Sequence, residues 1–483
     1  MKSIARNAIF NTLYTGANLL YQLISTVYVA NILLADGVGK VAYVQNIASF
    51  FVLFAGLGIP TYGVKEISRV RGAGGDVNKV FSELFLINGI ATVLSSLVYG
   101  LIFVAGMADN HSDQILYSCF GIQIVMNCIN IDWLYQGLEE YGIIAARSIV
   151  VKLFSAFLLL TFVNSKEDYV FYALITVFAV CGNYLLNILY AKKIVSLTFS
   201  DLSPKQHLIP VLVTAVSIVL ASIYSRIDVT MLGIMCTETD VGLYTVAHKS
   251  VDMIITVCVA MLSVFLPRLS ACYAANRKQF SQLLDLGVRL LLFFAVPIFA
   301  GVFILAPDVI PMLFGTSFVQ ASLTLRIFSV LLIVKTFGHL LCYQLVIITG
   351  NEKKRLPAYF AAAVANVVLN AVLIPEMGCN GAALASVVSE LIVNGWQVIS
   401  MKRIVEIPFS KAAFLQSIFS TAAMCAGIMC CYAATNHPWI RIVGSIVSGV
   451  VVYVITNYFL KNRIVVEVWN QIKAGLQLLL RES

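Results

Sequence analysis

The sequence predicts an all-α, polytopic membrane protein with about 14 transmembrane helices, and three observations support this prediction. Of the 483 residues, 60% are hydrophobic and only 12% are charged, whereas a typical soluble domain has about 25% charged residues. Apolar stretches long enough for a spanning helix, which needs about 20 residues, recur along the chain. The alternating pattern of a transmembrane β-barrel does not occur. The composition therefore excludes a soluble protein.

Each predicted span is an apolar stretch between two polar connections. The spans cover residues 8–33, 41–62, 80–107, 114–136, 142–163, 169–191, 208–233, 241–266, 284–305, 322–348, 357–375, 380–401, 411–434 and 438–460. In the tail, residues 461–483, the apolar side chains of Val465, Trp469 and Ile472 share one helical face. We expect an amphipathic helix on the cytoplasmic membrane surface there.

Lysine and arginine are concentrated in alternate connections of the predicted topology. The N-terminus, the connections after spans 2, 6, 8, 10 and 12, and the tail are basic, whereas the opposite connections contain only Lys40, Lys166 and Arg441. Because basic connections stay in the cytoplasm, we expect both termini there. The net charge of +8 is explained by this orientation and by contact with anionic lipids, and not by nucleic acid.

Two similar turns, 203 residues apart, indicate an internal repeat. Asp36-Gly37-Val38-Gly39 precedes span 2 and Asp240-Val241-Gly242 precedes span 8, and both spans end at a proline. The two copies have the same orientation, which makes the repeat parallel, as in several transporter folds. We expect two pseudo-symmetric six-helix lobes followed by two further helices, in residues 1–205, 206–405 and 406–460.

Charged and polar residues within the spans are the candidate functional groups, because a charge at the centre of a bilayer is costly. The cationic candidates for binding an anionic substrate are Lys152, Arg226, Lys249, Arg326, Lys335 and His339. The acidic candidates for ion coupling or internal pairing are Asp228, Asp252 and Glu390. The amides expected to line a polar cavity are Asn11, Asn18, Gln22, Asn366 and Asn370. The sequence predicts no catalytic residue and no metal site.

The depth of these groups suggests that they share one chamber. At about 1.5 Å per helical residue, Arg226 and Lys249 lie at similar depths below the outer ends of adjacent spans. We expect a wet, net-positive cavity between the lobes, suited to an anionic, hydroxyl-rich substrate. The alternative is internal pairing, in which Arg226 pairs with Asp228 or Asp252. Lys335 and Glu390 would form the second such pair.

Asp132 and Arg147 lie near the inner ends of spans 4 and 5 at similar depth. An ion pair between them would either close an inner gate or tie two helices together. Every connection between spans is short, so no soluble catalytic domain is expected. No P-loop sequence occurs, which gives no support for intrinsic ATP hydrolysis.

Four stretches of the chain carry a resemblance to a known family. They are GLGIPTYGVKE at 56–66, DWLYQGLEEY at 132–141, RIDVTMLG at 226–233 and GCNGAALAS at 378–386. Their order and spacing resemble those of bacterial polysaccharide repeat-unit flippases of the Wzx type. These proteins are part of the multidrug/oligosaccharidyl-lipid/polysaccharide (MOP) exporter superfamily.

This resemblance implies a MATE-like fold and a transporter rather than an enzyme. The implied substrate is undecaprenyl-diphosphate-linked oligosaccharide, moved by alternating access from the inner to the outer leaflet for capsule or O-antigen-like polysaccharide. It also implies a location in the bacterial cytoplasmic membrane, contact with membrane lipids, and a polysaccharide polymerase and other assembly proteins as partners. No cofactor is expected, and a proton or a sodium ion is the candidate coupling ion.

Three alternative functions make different demands on the sequence. A MATE-like drug or cation antiporter would need acidic residues to dominate the cavity, and it would usually end near the twelfth span. A lipid II flippase would share the two additional helices. A polysaccharide polymerase or membrane glycosyltransferase would need a large outer loop or a soluble nucleotide-sugar domain, and the short connections argue against both.

Overall fold

The computed structural model describes residues 4–106, 111–198, 200–351, 354–435 and 437–466, and these residues contain no β-strand. The predicted amphipathic tail helix falls mostly on residues 467–483 and lies outside the described part. In the first half, the helices are α1 (Ile4–Gly56), α2 (Ile59–Gly72), α3 (Val77–Tyr99), α4 (His111–Met126), α5 (Asp132–Gly137), α6 (Tyr141–Phe162), α7 (Tyr169–Ala191) and α8 (Lys205–Met235).

The second half continues the helical architecture. Its helices are α9 (Glu238–Ser263), α10 (Phe265–Ala275), α11 (Arg277–Phe314), α12 (Ala321–Gly338), α13 (Leu345–Ile348), α14 (Arg355–Met377), α15 (Cys379–Lys402), α16 (Lys411–Ala434) and α17 (Pro438–Phe459). Among the described residues, 13 helical segments are long and apolar enough to cross a membrane. The first, Thr12–Gly72, contains predicted spans 1 and 2, so the segments agree with the predicted topology of about 14 spans.

Predicted spans 1 and 2 are separated by a break at Leu34. Its backbone has φ 59 and ψ −173, which interrupts the helical geometry inside α1. The sequence placed this break at Asp36–Gly39, slightly later in the chain. A second break precedes α2, where Gly58 has φ 76 and Pro60 occupies the first turn of the helix. Proline is favoured there because a backbone N–H in the first turn would have no intrahelical carbonyl to bind, so its absence costs no hydrogen bond.

The two glycines of the predicted repeat allow a close, reciprocal backbone contact. A Cβ built on Gly39 would lie 1.7 Å from the carbonyl oxygen of Glu238, and one built on Gly242 would lie 1.9 Å from that of Ala35. Gly39 and Gly242 are 203 residues apart, and so are Ala35 and Glu238. Each repeat therefore contacts the other through equivalent positions, as expected of a two-fold relation.

The chain divides into two compact units. The first unit comprises Met1–Thr245 and Asn370–Cys379, and the second comprises Val246–Leu369 and Asn380–Ser483. The predicted lobe boundaries at 205 and 405 remain a prediction.

The first unit has two apolar cores. One core joins α1, α4 and α7 and includes Val44, Phe120 and Val177. The other joins α2, α3 and α5 around Trp133 and includes Ile67 and Leu84. The fully buried indole ring of Trp133 lies against Gly63, where a Cβ would come within 2.6 Å of a ring carbon.

The second unit is organised around α11, α12 and α15. Leu284, Leu340 and Met401 belong to its main apolar core. The predicted spans 13 and 14 are α16 and α17, and Met424 and Tyr453 pack there with Leu305 of α11. Helices α11, α16 and α17 therefore share one apolar core.

Candidate functional site

Three charged side chains from three helices meet in the second unit. Lys335 Nζ of α12 lies 3.4 Å from Oδ1 of Asp252 on α9 and 3.8 Å from Oε1 of Glu390 on α15. The side chain of Asp252 is 40% exposed, whereas that of Glu390 is 14% exposed. One cation therefore lies between an accessible carboxylate and a mostly buried one. We call this group, together with His248, the Lys335 cluster.

Two neighbouring polar residues hold the carboxylates of the Lys335 cluster. Nδ1 of His248 lies 3.2 Å from Oδ2 of Asp252, one helical turn away on α9. Nδ2 of Asn394 donates to Oε2 of Glu390 at 3.2 Å. A Cβ built on Gly338 would lie 1.8 Å from Oδ1 of Asn394, so the glycine permits α12 and α15 to approach closely. This approach brings the lysine and the buried carboxylate within reach of each other.

The charge balance of the Lys335 cluster suits the exchange of a small cation. With a neutral imidazole, two carboxylates face a single ammonium group. Charges held out of water need compensation, so a proton on one carboxylate or a bound cation would be favoured. The predicted pairing of Lys335 with Glu390 is present, and Asp252 joins it. The net-positive cavity between the lobes stays a prediction.

A second group in this unit combines aromatic rings with a guanidinium and lies between His339 and Tyr359 in the chain. His339 begins a π-helical turn, His339–Gln344, and its ring stacks on Tyr343 with centroids 5.1 Å apart. The guanidinium of Arg355 lies 5.0 Å from the ring centroid of Tyr343 and 5.1 Å from that of Tyr359. Turns of this kind are frequent at functional sites. The sequence missed Arg355 because it belongs to a basic connection.

In the first unit, Asp228 accepts hydrogen bonds from a tyrosine and an asparagine. The carboxylate is 1% exposed and accepts hydrogen bonds from the hydroxyl of Tyr244 at 2.7 Å and from Nδ2 of Asn370 at 2.6 Å. Arg226, two residues earlier on α8, is exposed, and its carbonyl accepts a hydrogen bond from Nδ2 of Asn46 at 3.2 Å. The arginine is therefore presented on the surface of its unit while the aspartate is buried.

Asp132 and Arg147 form the predicted ion pair. Arg147 Nη2 donates to Oδ1 of Asp132 at 2.7 Å, and the same oxygen accepts a hydrogen bond from Nδ2 of Asn187 at 2.7 Å. The guanidinium also lies 5.6 Å from the ring centroid of Tyr135. The pair connects α5, α6 and α7 of one unit, which favours a tie between helices over a gate.

The remaining candidates are spread through both units. Lys152 Nζ lies 4.6 Å from the ring centroid of Tyr21, and Arg326 Nε donates to the carbonyl of Phe303 at 3.0 Å. Lys249 is half-buried on α9. Of the amides, Asn366 and Asn370 are fully buried, Asn18 and Gln22 are half-buried, and the side chain of Asn11 lies outside the described part.

A buried polar network around Glu83 was missed by sequence reasoning. Oε1 of this carboxylate, 0% exposed, accepts from the backbone N–H of Ser203 at 2.6 Å, and Oε2 lies 2.9 Å from both His207 Nε2 and Gln206 Nε2. Nδ1 of His207 lies 2.9 Å from the hydroxyl of Tyr62. The network fastens the connection between α7 and α8 to α3. An isolated carboxylate within an apolar stretch was the signal that could have revealed it.

Comparisons with known proteins agree with this architecture. Residues 4–272 match the sequence profile of the family described as polysaccharide biosynthesis protein, and residues 251–451 match that of the lipid II flippase MurJ. A protein of Escherichia coli (strain K12) with the provisional name of O-antigen transporter is 22% identical over 369 residues. That alignment covers 75% of this chain and 87% of the relative.

A second relative, from the archaeon Haloferax volcanii, is provisionally named a low-salt glycan biosynthesis flippase. It is 26% identical over 174 residues, and the alignment covers 34% of this chain and only 35% of that protein.

Solved structures confirm the predicted MATE-like fold. The lipid II flippase MurJ in an inward closed conformation superposes with a TM-score of 0.64 at 17% identity, covering 96% of this chain and all of that chain. A multidrug resistance MATE family transporter of the MOP superfamily, in an inward-facing conformation, gives a TM-score of 0.61 at 16% identity, covering 80% of this chain and 93% of that one. With this fold, and with a family profile that spans more than half of its length, the chain belongs to the family of polysaccharide biosynthesis proteins.

Proposed function

We propose that the protein is a flippase that moves undecaprenyl-diphosphate-linked oligosaccharide from the cytoplasmic to the outer leaflet for surface polysaccharide biosynthesis. The observation that carries this proposal is the family match over residues 4–272 of a polytopic helical chain. The names of the relatives, which refer to O-antigen transport and to glycan flipping, support the same function.

The proposed mechanism is alternating access with the lipid tail left in the bilayer. The sugar and diphosphate enter a polar path, and the polyprenyl chain stays in hydrocarbon. Arg226, Lys249 and Lys335 offset part of the cost of bringing diphosphate charge into a medium of low dielectric constant. Movement of the two lobes then opens the path to the outside.

Ion coupling is assigned in this proposal to the Lys335 cluster. Binding of a proton or a sodium ion near Asp252 or Glu390 would neutralise the second carboxylate and weaken its hold on the lysine. Lys335 would then be free to pair with the diphosphate. A carboxylate that competes with the substrate for one lysine provides a simple coupling between ion and substrate.

The proposed transport implies a location in the cell and partner proteins. We expect the cytoplasmic membrane of a bacterium, with both termini inside, because the basic connections follow the positive-inside rule. The polysaccharide polymerase and other assembly proteins would receive the translocated repeat unit. The protein itself would catalyse no bond cleavage or formation.

Complementation of a strain that lacks its own repeat-unit flippase tests the proposal. Expression of the protein should restore surface polysaccharide and remove the lipid-linked oligosaccharide that accumulates inside. Compared at matched membrane abundance, Lys335→Ala and Arg226→Ala should abolish this restoration, whereas Lys402→Ala, on the exposed end of α15, should not. Full surface polysaccharide with both cavity variants would refute the assigned role of these cations.

Lipid II flipping is the second candidate function, because residues 251–451 match the MurJ profile. Depletion of the host lipid II flippase separates the two. Rescue of growth by this protein would establish lipid II transport, whereas rescue of surface polysaccharide alone would support repeat-unit transport. Efflux of organic cations, without either rescue, would point to the drug antiporter alternative.

A further inference from the structure

An apolar cavity of about 500 Å³ lies against one face of α3 in the first unit. Its volume falls within the range of about 300–1,000 Å³ that is usual for small-molecule sites. The side chains that form most of its wall are Phe85, Leu86, Ile90, Leu94, Leu197 and Leu202. Leu86, Ile90 and Leu94 are 42%, 55% and 60% exposed, so the cavity is open on one side. Because α3 is a candidate membrane helix, we expect that side to face lipid hydrocarbon.

Leu197 and Leu202 of the connection between α7 and α8 form one wall of the cavity, and hydrogen bonds join this connection to α3. The backbone N–H of Thr198 donates to Oγ of Ser82 at 2.9 Å, and that of Ser203 donates to Oε1 of Glu83 at 2.6 Å. Both acceptors belong to the first turns of α3. The connection is therefore held in place beside α3, and Leu197, which is 48% exposed, lines the space between them.

The same connection carries positive charge. Lys192 and Lys193 precede the wall segment and Lys205 follows it, and all three are exposed. The acidic residue between them is Asp201, which leaves an excess of positive charge close in the chain to Leu197 and Leu202 of the cavity wall. Clusters of this kind attract anionic lipid headgroups at the cytoplasmic surface.

We propose that this cavity binds one acyl chain of an anionic phospholipid whose phosphate contacts the lysines of the α7–α8 connection. The volume suits a single acyl chain, whereas the polyprenyl chain of a lipid carrier is several times larger. A bound phospholipid would hold the connection against α3 from the membrane side, as Glu83 does from the protein side. The site is independent of the transport proposed above.

Gly89 provides a direct way to close the cavity. It lines the space, and a Cβ built on it would meet no atom within 4 Å. Gly89→Leu would therefore place a larger side chain toward the cavity with its Cβ free of contacts, and leucine is favoured over glycine in a helix. Gly395 on α15 also has open space around its Cβ, so Gly395→Leu is a matched control.

Photo-crosslinking tests the site. The full chain is reconstituted in phosphatidylethanolamine vesicles that contain a trace of phosphatidylglycerol with a photoactivatable group in its acyl chain. The adducts are mapped by peptide mass spectrometry. We expect adducts at 82–94 and at Leu197 and Leu202. Gly89→Leu should reduce their yield about fivefold or more, which corresponds to about 1 kcal/mol of binding free energy. Gly395→Leu should leave the yield unchanged. Lys192→Gln combined with Lys193→Gln should weaken competition by unlabelled phosphatidylglycerol but not by phosphatidylcholine.

Three results would overturn the proposal. Adducts of equal yield on lipid-facing α17 would show only general contact with the bilayer. An unchanged yield with Gly89→Leu would place the probe outside the cavity. Displacement of the probe by polyprenyl phosphate, but not by excess phosphatidylglycerol, would assign the cavity to the carrier lipid instead.

Discussion

Lys335 is the residue that balances two carboxylates in the second unit. Lys335→Met should lower the stability of the solubilised protein by about 1–3 kcal/mol, because it leaves two partly buried carboxylates without their counter-charge. Lys335→Met with Glu390→Gln should recover part of this loss, since Glu390 is the less exposed carboxylate at 14%. Thermal unfolding in detergent measures both effects.

The Arg289–Asp285 pair on α11 is the control for this experiment. These residues are one helical turn apart, with side chains 27% and 25% exposed. A pair of this kind contributes about 0.3–0.5 kcal/mol, so Arg289→Met should have a small effect. Equal losses of stability for Lys335→Met and Arg289→Met would show that Lys335 contributes no more to stability than an ion pair within one helix.

Cys236 provides a pH-dependent prediction in the connection between α8 and α9. Burial, with a smaller contribution from the nearby carboxylate of Asp240, raises the pKa of the Cys236 thiol. Only the thiolate reacts with iodoacetamide, so a raised pKa means slow alkylation at neutral pH and a steep increase under alkaline conditions. The rate should reach its half-maximum at a higher pH than that of N-acetylcysteine, and Asp240→Asn should shift it downward. A midpoint at or below that of the free thiol would contradict the partly buried position of Cys236.

At the scale of the elements, the contact between the two repeat turns depends on the absence of side chains. A Cβ on Gly39 or Gly242 would overlap a carbonyl oxygen at less than 2 Å. Gly39→Leu and Gly242→Leu should therefore each separate α1 from the start of α9 and cost about 1–3 kcal/mol or more, as overpacking does. Gly301→Leu on α11, where the Cβ position is open, should be tolerated. Comparable unfolding temperatures for all three variants would rule out this contact.

The sequence predicts the membrane spans and the repeat well, but it predicts the exact helix break less well. Hydropathy alone gave the spans, because a bilayer requires long apolar helices with internally satisfied backbones. The turn motifs suggested the repeat, and the reciprocal contact of Gly39 and Gly242 now supports it. The break between spans 1 and 2 was predicted at Asp36–Gly39, but it occurs at Leu34, since a leucine with positive φ gives no local sequence signal.

Side-chain partners were harder to predict than spans. The pairing of Lys335 with Glu390 followed from the scarcity of charge, but the participation of Asp252 depended on how α9 and α12 pack. The Glu83 network joins α3 to a connection more than a hundred residues later in the chain, and periodicity contains no information on such contacts.

At the scale of the whole molecule, orientation is the property that the flippase mechanism requires and that a cysteine experiment can measure. Lys166 belongs to a predicted outer connection, whereas Lys192 and Arg403 belong to predicted inner ones, and all three side chains are exposed. Because basic connections are retained in the cytoplasm, a membrane-impermeant maleimide added to intact cells should label Lys166→Cys alone. Labelling of Lys192→Cys and Arg403→Cys should require permeabilisation.

These variants are best made with Cys430, the exposed native cysteine of α16, replaced by serine. Peptide mass spectrometry then separates the introduced thiol from the other ten. The reversed pattern, with Lys192→Cys and Arg403→Cys labelled from outside, would place the basic connections on the wrong side for transport from the cytoplasm. It would also separate the lysines of the proposed phospholipid site from the anionic cytoplasmic leaflet, so that one experiment on orientation constrains both proposals.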